Sequence, residues 1–309
     1  MKIINKLDDI TVLDQPTSIA LGTFDGMHIG HQEVIRAMVD YSKKNNLISV
    51  VYTFSNHPKS YPNESNSPKR LMTPDQKSDM LNDLGVDLLI QVPFDDQQVE
   101  ITAAYFLNEI LLKKLNVKHI SVGYDFRFGK SAEGNVDFLR ANEHKGYSLE
   151  MIEPIMYESL IVSSTHIRNF LMQGQVLCAN KLLGRPYCVE GYVNHGKKMG
   201  RQLGFPTANL KTAYEMSVLK SGVYISQVTH GIKTYNSVTN VGFNPTFDQE
   251  HFTIETYIID FDEDIYGEAI QVRFLKYLRP EIKFSNLHEL IHKINEDVQE
   301  AKDFFEIMT

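Results

Sequence analysis

The chain has 309 residues and a formal net charge of -8, and 42% of its residues are hydrophobic, a share typical of folded soluble proteins. With about 150 residues per domain as a guide, this length favours two domains, each with a core of its own. The acidic charge argues against a nucleic-acid partner, because phosphate backbones are bound through basic side chains.

The sequence contains neither a secretion signal nor a membrane span that we can identify. The N-terminal residues MKIINKLDDITVLDQ lack the apolar run of a signal peptide, and no stretch approaches the roughly 18 apolar residues of a spanning helix. Two cysteines, Cys178 and Cys188, provide no disulfide framework. We therefore expect a cytoplasmic protein without a membrane partner, as a monomer or weak oligomer.

The first 180 or so residues alternate short apolar runs with helical patterns. This rhythm, with runs that are apolar almost throughout, predicts a doubly wound α/β domain around a parallel sheet. Its ligands should bind beyond the carboxyl ends of the strands. The predicted strands are Ser18–Gly22, Ile48–Phe54, Asp87–Val92, His119–Gly123 and Tyr147–Ile152, and the predicted helices are His31–Tyr41, Pro74–Leu84, Glu100–Leu115 and Val136–His144.

The pattern changes after Gly184-Arg185-Pro186. Strand-like runs punctuated by Gly, Pro and Asn predict a small antiparallel barrel or sandwich. A long helix follows, with Ser285 as its expected N-cap and one apolar face. The predicted strands are Tyr187–Val193, Gly222–Val228, Lys233–Val241, Phe252–Phe261 and Ala269–Leu275, and the apolar face comprises Leu287, Leu290, Ile291, Ile294, Val298, Ala301 and Phe305.

The segment GTFDGMHIGH, residues 22–31, joins the first of these predicted strands to a helix. Gly22, Gly26 and Gly30 allow close backbone approach, and the amides at a helix start favour phosphate. His28 and His31 lie three residues apart, so both can donate hydrogen bonds into one pocket. In this composition an H-x-G-H pattern is expected by chance only about 0.02 times, which disfavours the alternative of a glycine turn with two surface histidines.

His28-Ile29-Gly30-His31 is the signature of the class I nucleotidyltransferase superfamily, which includes the class I aminoacyl-tRNA synthetases. Those enzymes also need a Lys-Met-Ser-Lys-Ser-type loop. The nearest candidate, Lys197-Lys198-Met199-Gly200, lies across the apparent domain boundary and lacks the pattern. Together with the acidic charge, this disfavours a tRNA-charging enzyme.

Three further motifs follow strands or open a helix in the first half. VYTFSNHP ends at His57-Pro58, VGYDFRFGK covers residues 122–130, and SSTHIRNFL covers residues 163–171. Hydroxyls and an arginine at a helix start suit a polyphosphate. Taken singly, each has a simpler explanation: a surface histidine, core aromatics or an N-cap. Their joint placement at strand ends favours one ligand site.

On these motifs the chain resembles the bacterial bifunctional riboflavin kinase/FMN adenylyltransferase family, also called FAD synthetase, over nearly its whole length. The resemblance implies a Rossmann-like nucleotidyltransferase domain over residues 1–184 and a small antiparallel β-barrel with a C-terminal helix over residues 185–309. It implies that His28, His31 and Arg168 act on the ATP phosphates. It implies ATP binding by Gly22, Thr23, Phe24, Asp25, Gly26, Ser164 and Thr165, and flavin binding by His57, Asp125, Phe126, Arg127 and Phe128.

In the second half, GYVNHGKKMGRQLGFPTANL combines spaced glycines with hard oxygen donors suited to Mg²⁺. It lacks the order of a Walker A loop, and a barrel loop without a ligand is a competitive alternative on these residues alone. The resemblance implies that Gly196 and Gly204 cover ATP, and that Thr207 and Asn209 bind Mg-ATP. Glu255 is then the general base; the alternative is an outward-facing strand glutamate.

The resemblance implies two linked reactions with ATP as co-substrate and Mg²⁺ as cofactor. Riboflavin is phosphorylated to FMN in the second domain, and FMN is adenylylated to FAD in the first. Asn244 and Tyr257 stand where we expect arginine and histidine in many relatives. Two alternatives therefore stay open: an enzyme with adenylyltransferase activity alone, and a non-catalytic flavin-binding regulator.

Overall fold

The computed structural model describes residues 1–63, 67–195, 204–212, 216, 219–246 and 249–308. Contacts divide the chain into two compact units. The first, here called the α/β unit, comprises Met1–Pro68 and Pro74–Ser163, and the second, the barrel unit, comprises Lys69–Thr73 and Ser164–Thr309. The functional boundary between residues 184 and 185 stays a prediction.

The α/β unit is built on a six-stranded sheet in which every neighbouring pair is parallel, as the sequence predicts. Its strands are β1 (Lys2–Ile4), β2 (Thr17–Leu21), β3 (Ile48–Phe54), β4 (Leu88–Val92), β5 (Val117–Gly123) and β8 (Ser148–Ile152). Two short hairpins add β6 (Arg127–Phe128) with β7 (Gly134–Asn135), and β9 (Met156–Tyr157) with β10 (Leu160–Ile161).

The helices of this unit differ from prediction mainly at their ends. They are α1 (Ile29–Asn45), α2 (Pro74–Asp83), α3 (Asp96–Val99), α4 (Ala103–Tyr105), which continues as a π-helix over Phe106–Lys114, and α5 (Val136–Ala141). The helix predicted over Glu100–Leu115 is confirmed over Ala103–Lys114, and it begins only after Thr102. Asp95 caps α3 and Thr102 caps α4 through side-chain oxygens that accept backbone N–H groups, so each cap fixes where its helix begins.

The strand order β1-β4-β3-β2-β5-β8 contains a topological switch point. From β2 the sheet continues through β3 on one side and through β5 on the other. Ligands of doubly wound folds bind in the crevice outside the carboxyl ends at such a point. The segments that follow β2, β3 and β5 are therefore neighbours at one edge, and they carry three of the motifs singled out above.

A buried histidine on β5 makes the α/β unit sensitive to acid. His119 stacks on Tyr41 with 3.6 Å between ring centroids, and its nitrogens lie 2.8 Å from Ser148 Oγ and 3.1 Å from Ser121 Oγ. Burial lowers the pKa of His119 to about 4. Between that pH and about 6.5, the unfolded chain binds the proton and the folded chain does not. The free energy of unfolding should therefore fall as the pH drops through this window.

His119→Gln should flatten this pH dependence, since it removes the group that titrates. The measurement is urea denaturation of the full chain, followed by circular dichroism at about pH 7 and about pH 5. His144→Gln, which replaces an exposed histidine of the same unit, is the matched control. An unchanged difference between the two pH values in His119→Gln would contradict the assignment.

The barrel unit contains a closed six-stranded barrel in which all neighbouring strands are antiparallel, as predicted. The strand missed by the sequence reasoning is β12, which lies inside the glycine-rich motif and was interpreted there as a ligand segment. The strands are β11 (Tyr187–Asn194), β12 (Thr207–Lys211), β13 (Gly222–His230), β14 (Lys233–Thr246), β15 (Gln249–Ile258) and β16 (Ala269–Arg279), in the order β11-β12-β15-β14-β13-β16.

The described part of this unit contains three helices: α6 (Ser164–Met172), α7 (Val176–Leu183) and α8 (Leu287–Met308). Asn180 docks α7 on the barrel, because its amide donates to Phe274 O at 2.8 Å and accepts from Tyr187 N at 2.7 Å. The N-cap of α8 was predicted at Ser285 and is Asn286, whose Oδ1 accepts the N–H of Glu289 at 3.0 Å.

The C-terminal helix lays part of its predicted apolar face on the barrel. Val298, Ala301 and Phe305 pack with barrel residues such as Val223 and Ile225. Leu287, predicted on the same face, is 56% exposed, because it lies in the first turn of the helix. The apolar face of the helix is therefore buried only beyond its first turn.

A buried ion pair fastens α8 to the end of β16. Arg279 Nε donates to Asp297 Oδ1 at 2.9 Å and Nη2 donates to Oδ2 at 2.6 Å, and Asp297 is only 4% exposed. Asp297→Ala would leave the guanidinium without its buried partner. We expect the free energy of unfolding of the barrel unit to fall by about 3–5 kcal/mol.

Chemical denaturation measures this loss, with Glu296→Ala, one residue earlier on the same helix, as control. Glu296 pairs with Lys293 at the surface, so its loss should have little effect. The double replacement Arg279→Met with Asp297→Leu removes both charges and should recover much of the stability. A loss for Asp297→Ala no larger than for Glu296→Ala would contradict the role given to this pair.

Candidate active sites

The loop that follows β2 is held in an unusual backbone conformation by buried apolar anchors. Phe24 and Met27 are 2% and 0% exposed, and both have positive φ, 49° and 43°. Gly26 has φ 79°, which only glycine adopts without cost. A Cβ at Gly22 would lie 2.9 Å from the ring of Phe24. Such strain in non-glycine residues is typical of functional loops.

The two histidines of the motif stand at the start of α1. His28 is the N-cap residue, and its Nδ1 accepts the backbone N–H of His31 at 3.2 Å. The ring proton of neutral His28 is therefore on Nε2. The His31 ring stacks on that of His28 with 3.5 Å between centroids, and the edge of Phe24 contacts it at 5.4 Å. The pair is thus fixed in orientation by packing and by a helix cap.

His31 carries a buried polar atom without a hydrogen-bond partner among the described residues. This atom is Nδ1, which is inaccessible. Burial, assisted by the neighbouring His28 and by the positive charge of Lys77, holds the pKa of His31 well below its ordinary value. The ring is therefore neutral at physiological pH and retains one N–H to donate. Buried polar groups are normally satisfied, so an unsatisfied one marks this loop as a candidate functional site.

The remaining predicted ATP-binding residues of this segment line the same loop. Thr23 O accepts hydrogen bonds from Thr53 Oγ1 at 3.0 Å and from Lys77 Nζ at 2.9 Å. Thr23 and Asp25 are half-buried, and Gly26 is buried. Together with the amides at the start of α1, the loop forms a concave backbone surface of the type that binds phosphate.

The segment after β5 lies beside this loop because the two strands are neighbours. Asp125 and Arg127 are exposed, whereas Phe126 and Phe128 are half-buried and stack at 5.4 Å. Phe128 also contacts Phe106 and Phe138, so part of its surface belongs to the core. The contact of these four residues with flavin stays a prediction.

At the end of β3, an asparagine joins two strand ends. Asn56 Oδ1 accepts Phe94 N–H at 2.6 Å and its Nδ2 donates to Phe94 O at 3.0 Å, so one side chain pairs with both backbone groups. An aspartate at this position could not make the second of these bonds, because a carboxylate has no N–H to donate. His57 caps the next turn, as its Nδ1 accepts Lys59 N–H at 3.1 Å. A cleft of about 450 Å³ lies here, lined by Asn56, Ser60, Tyr61, Pro62, Phe94, Asp95, Asp96 and Gln97.

Ser164, Thr165 and Arg168 lie on α6, which groups with the barrel unit. The helix begins at Ser164, close to the predicted start. Arg168 Nε donates to Lys69 O at 2.8 Å within this unit. Binding of a triphosphate by these side chains stays a prediction.

On the barrel, strand register places the predicted kinase residues on one face. Asn209 of β12 lies opposite Glu255 of β15, and Thr207 lies opposite Tyr257. Because side chains alternate along a strand, these four share a face, while Ala208, between Thr207 and Asn209, is buried.

On the other side of β15, Glu255 lies opposite Asn240 of β14. Sequence reasoning did not single out Asn240 as a functional residue, although the motif NVGFNPTF contains it. The pairing makes a row of Asn209, Glu255 and Asn240 across three strands. Asn240 Nδ2 also donates to Glu281 Oε1 at 3.2 Å.

The donors on this face fit Mg²⁺ bound together with a nucleotide. Among the described residues there is no cluster of three or more His, Cys, Asp or Glu side chains that could hold an ion alone. Mg²⁺ usually takes one or two protein oxygens and completes its shell with water and substrate phosphate. Thr207 and Asn209 offer such oxygens. Gly204 has φ 83°, with open space around it, whereas Gly196 lies outside the described residues.

Comparison with known proteins matches each half of the chain to a protein family. The family model for FAD synthetase matches residues 11–166, and the model for riboflavin kinase matches residues 183–305. The chain belongs to the bifunctional riboflavin kinase/FMN adenylyltransferase family. The curated enzyme of that name from Buchnera aphidicola is 33% identical over 100% of both chains, and that from Bacillus subtilis is 35% identical over 93% of this chain and 92% of its own.

A solved structure shares this fold across both units. A crystal structure described as a macrolide-efflux protein from Streptococcus pneumoniae has a TM-score of 0.89 and 32% identity, covering 97% of this chain and 98% of its own. In the part of the chain that the structure describes, no helix is both long and apolar enough to cross a membrane. Membership of the family in both halves disfavours an enzyme with adenylyltransferase activity alone.

Proposed function

We propose that the chain makes FAD in two steps, with the α/β unit and the barrel unit each supplying catalytic residues. In the barrel unit, the 5′-hydroxyl of riboflavin attacks the γ-phosphate of ATP and releases ADP. In the other reaction, the FMN phosphate attacks the α-phosphate of ATP and releases pyrophosphate. The observation that carries the second assignment is the stacked pair of His28 and His31 rings at the start of α1, beside the sheet's switch point.

For adenylyl transfer, the fixed histidine pair supplies hydrogen-bond donors. An oxygen of the FMN phosphate forms a bond to the α-phosphorus while the bond to the β-phosphate oxygen breaks. Negative charge that develops on the α-phosphate and on the leaving pyrophosphate is stabilised by N–H groups of His28 and His31 and by the amides at the start of α1. Arg168, Ser164 and Thr165 bind the triphosphate, while His57 and residues 125–128 bind the flavin.

For riboflavin phosphorylation, Glu255 accepts the proton of the attacking hydroxyl. Its place between Asn209 and Asn240 supports this role, because flanking amides orient a carboxylate without neutralising it. Thr207 and Asn209 would hold Mg²⁺, which would neutralise phosphate charge. Gly196 and Gly204 belong to the segment that covers ATP.

The proposal includes the setting in which the enzyme works. The net charge of -8 and the two cysteines support a cytoplasmic protein that needs no nucleic acid. We propose a monomer or weak oligomer, and size-exclusion chromatography with light scattering measures the mass directly.

Two incubations test the proposed function. The purified chain is supplied with Mg-ATP and either riboflavin or FMN, and the products are separated by chromatography. We expect FMN and then FAD from riboflavin, and FAD from FMN. Product from neither flavin would overturn the proposal, and FAD from FMN without conversion of riboflavin would overturn its kinase half.

A further inference from the structure

A lysine of α2 is buried against the loop that follows β2. Lys77 is only 7% exposed, and its ammonium donates a hydrogen bond to Thr23 O at 2.9 Å. Thr53 Oγ1 donates to the same carbonyl oxygen at 3.0 Å. The carbonyl therefore already has a neutral donor from the neighbouring strand, and the second donor brings a positive charge into the interior of the unit.

Burying an ammonium is costly, with a net penalty of several kcal/mol after relaxation. A neutral side chain such as glutamine could supply a hydrogen bond to a carbonyl at far lower cost. What lysine adds here is charge. That charge lies against the loop at Thr23 O, and it acts with burial and with His28 to lower the pKa of His31.

The loop needs such a charge for polyphosphate chemistry. It lacks the lysine of a Walker A motif, and the His31 ring is neutral, since its pKa is lowered. Backbone amides and a helix dipole contribute only partial charges. A full positive charge close to the histidine pair, and fixed there by a hydrogen bond, would stabilise phosphate in the loop without any movement during the reaction.

We propose that Lys77 is a positioning residue for adenylyl transfer, which holds the Gly22–Met27 loop through Thr23 O and sets the positive potential at the histidine pair. The inference rests on the proposed adenylylation of FMN. It adds a residue outside every motif of the sequence, since a single lysine on a helix normally indicates a solvated face.

The charged and titratable groups that act on His31 are His28 beside it and Lys77 from α2. Both lower the pKa of His31, so removal of the Lys77 charge should raise it. His31 would then become protonated at a higher pH. The acid limb of the adenylylation rate should move to higher pH, which is an effect that loss of packing alone would not produce.

Three variants of the full chain separate charge from hydrogen bonding. Lys77→Gln removes the charge and keeps a donor, Lys77→Arg keeps the charge, and Thr53→Val removes the neutral donor to the same carbonyl. We expect Lys77→Gln to lower kcat/KM for FMN adenylylation by about 10- to 100-fold and to shift the acid limb. Thr53→Val should lower kcat/KM less than Lys77→Gln does and leave the acid limb in place. Lys77→Arg should keep the acid limb of the unmodified chain.

Each outcome supports or overturns the inference. Equal rates and equal pH profiles for Lys77→Gln and Thr53→Val would overturn it. If Lys77→Gln does not fold, as judged by circular dichroism, Lys77→Arg decides: a displaced acid limb despite the retained charge would overturn the inference. Failure of the unmodified chain to convert FMN to FAD would instead refute the proposed function, so the two failures are distinguishable.

Discussion

His31→Ala should lower kcat for FMN adenylylation by about 10²- to 10³-fold, the range for removal of one donor to a developing oxyanion. The reason is geometric. His31 is held by the stacked ring of His28 and by the edge of Phe24, and its neutral state keeps an N–H available. A donor fixed in this way stabilises the transition state more than bound ATP, so kcat should fall more than KM changes.

Riboflavin phosphorylation in the same preparation is the internal control for His31→Ala, because Glu255 and its partners lie on the barrel. His144→Ala, which removes an exposed histidine of the α/β unit, should change neither activity. His31→Asn retains an amide N–H and should recover part of the rate. Equal loss of both activities in a folded His31→Ala variant would contradict the assignment.

Glu255→Gln should produce the opposite pattern, a loss of riboflavin phosphorylation with FMN adenylylation retained. Glutamine has the same shape and keeps its place in the register between Asn209 and Asn240, but it cannot act as a base. Removal of a general base typically lowers the rate by about 10²- to 10⁴-fold, so we expect a fall in kcat of this size.

The comparison variant for Glu255→Gln is Glu268→Gln, which changes a glutamate elsewhere on the barrel that pairs with His230. It should phosphorylate riboflavin at the rate of the unmodified chain. Phosphate transfer is followed by FMN formation in a chromatographic assay with saturating Mg-ATP. Normal turnover by Glu255→Gln would show that this carboxylate is not the base, and would favour the alternative of an outward-facing strand glutamate.

The sequence alone determined the class of both units and most of their elements. Alternating apolar runs and helical periods are local signals, and so are the glycine spacing and the H-x-G-H pattern that led to ATP. Errors occurred where a local signal was ambiguous: Thr102 caps a helix that periodicity alone begins at Glu100, and Asn286, rather than Ser285, caps the last one. Neighbouring polar residues compete for such caps, and only the backbone path decides between them.

The tertiary structure decided which of these motifs lie together. Strand order makes the ends of β3, β2 and β5 neighbours, and strand register aligns Asn209, Glu255 and Asn240. Both depend on pairing between residues far apart in the chain, which no local pattern encodes. The same holds for the buried His31 Nδ1 and for Lys77, since burial is a property of packed elements. The motif GTFDGMHIGH thus predicts a phosphate loop, and the fold brings the Lys77 ammonium and the stacked histidine pair to that loop.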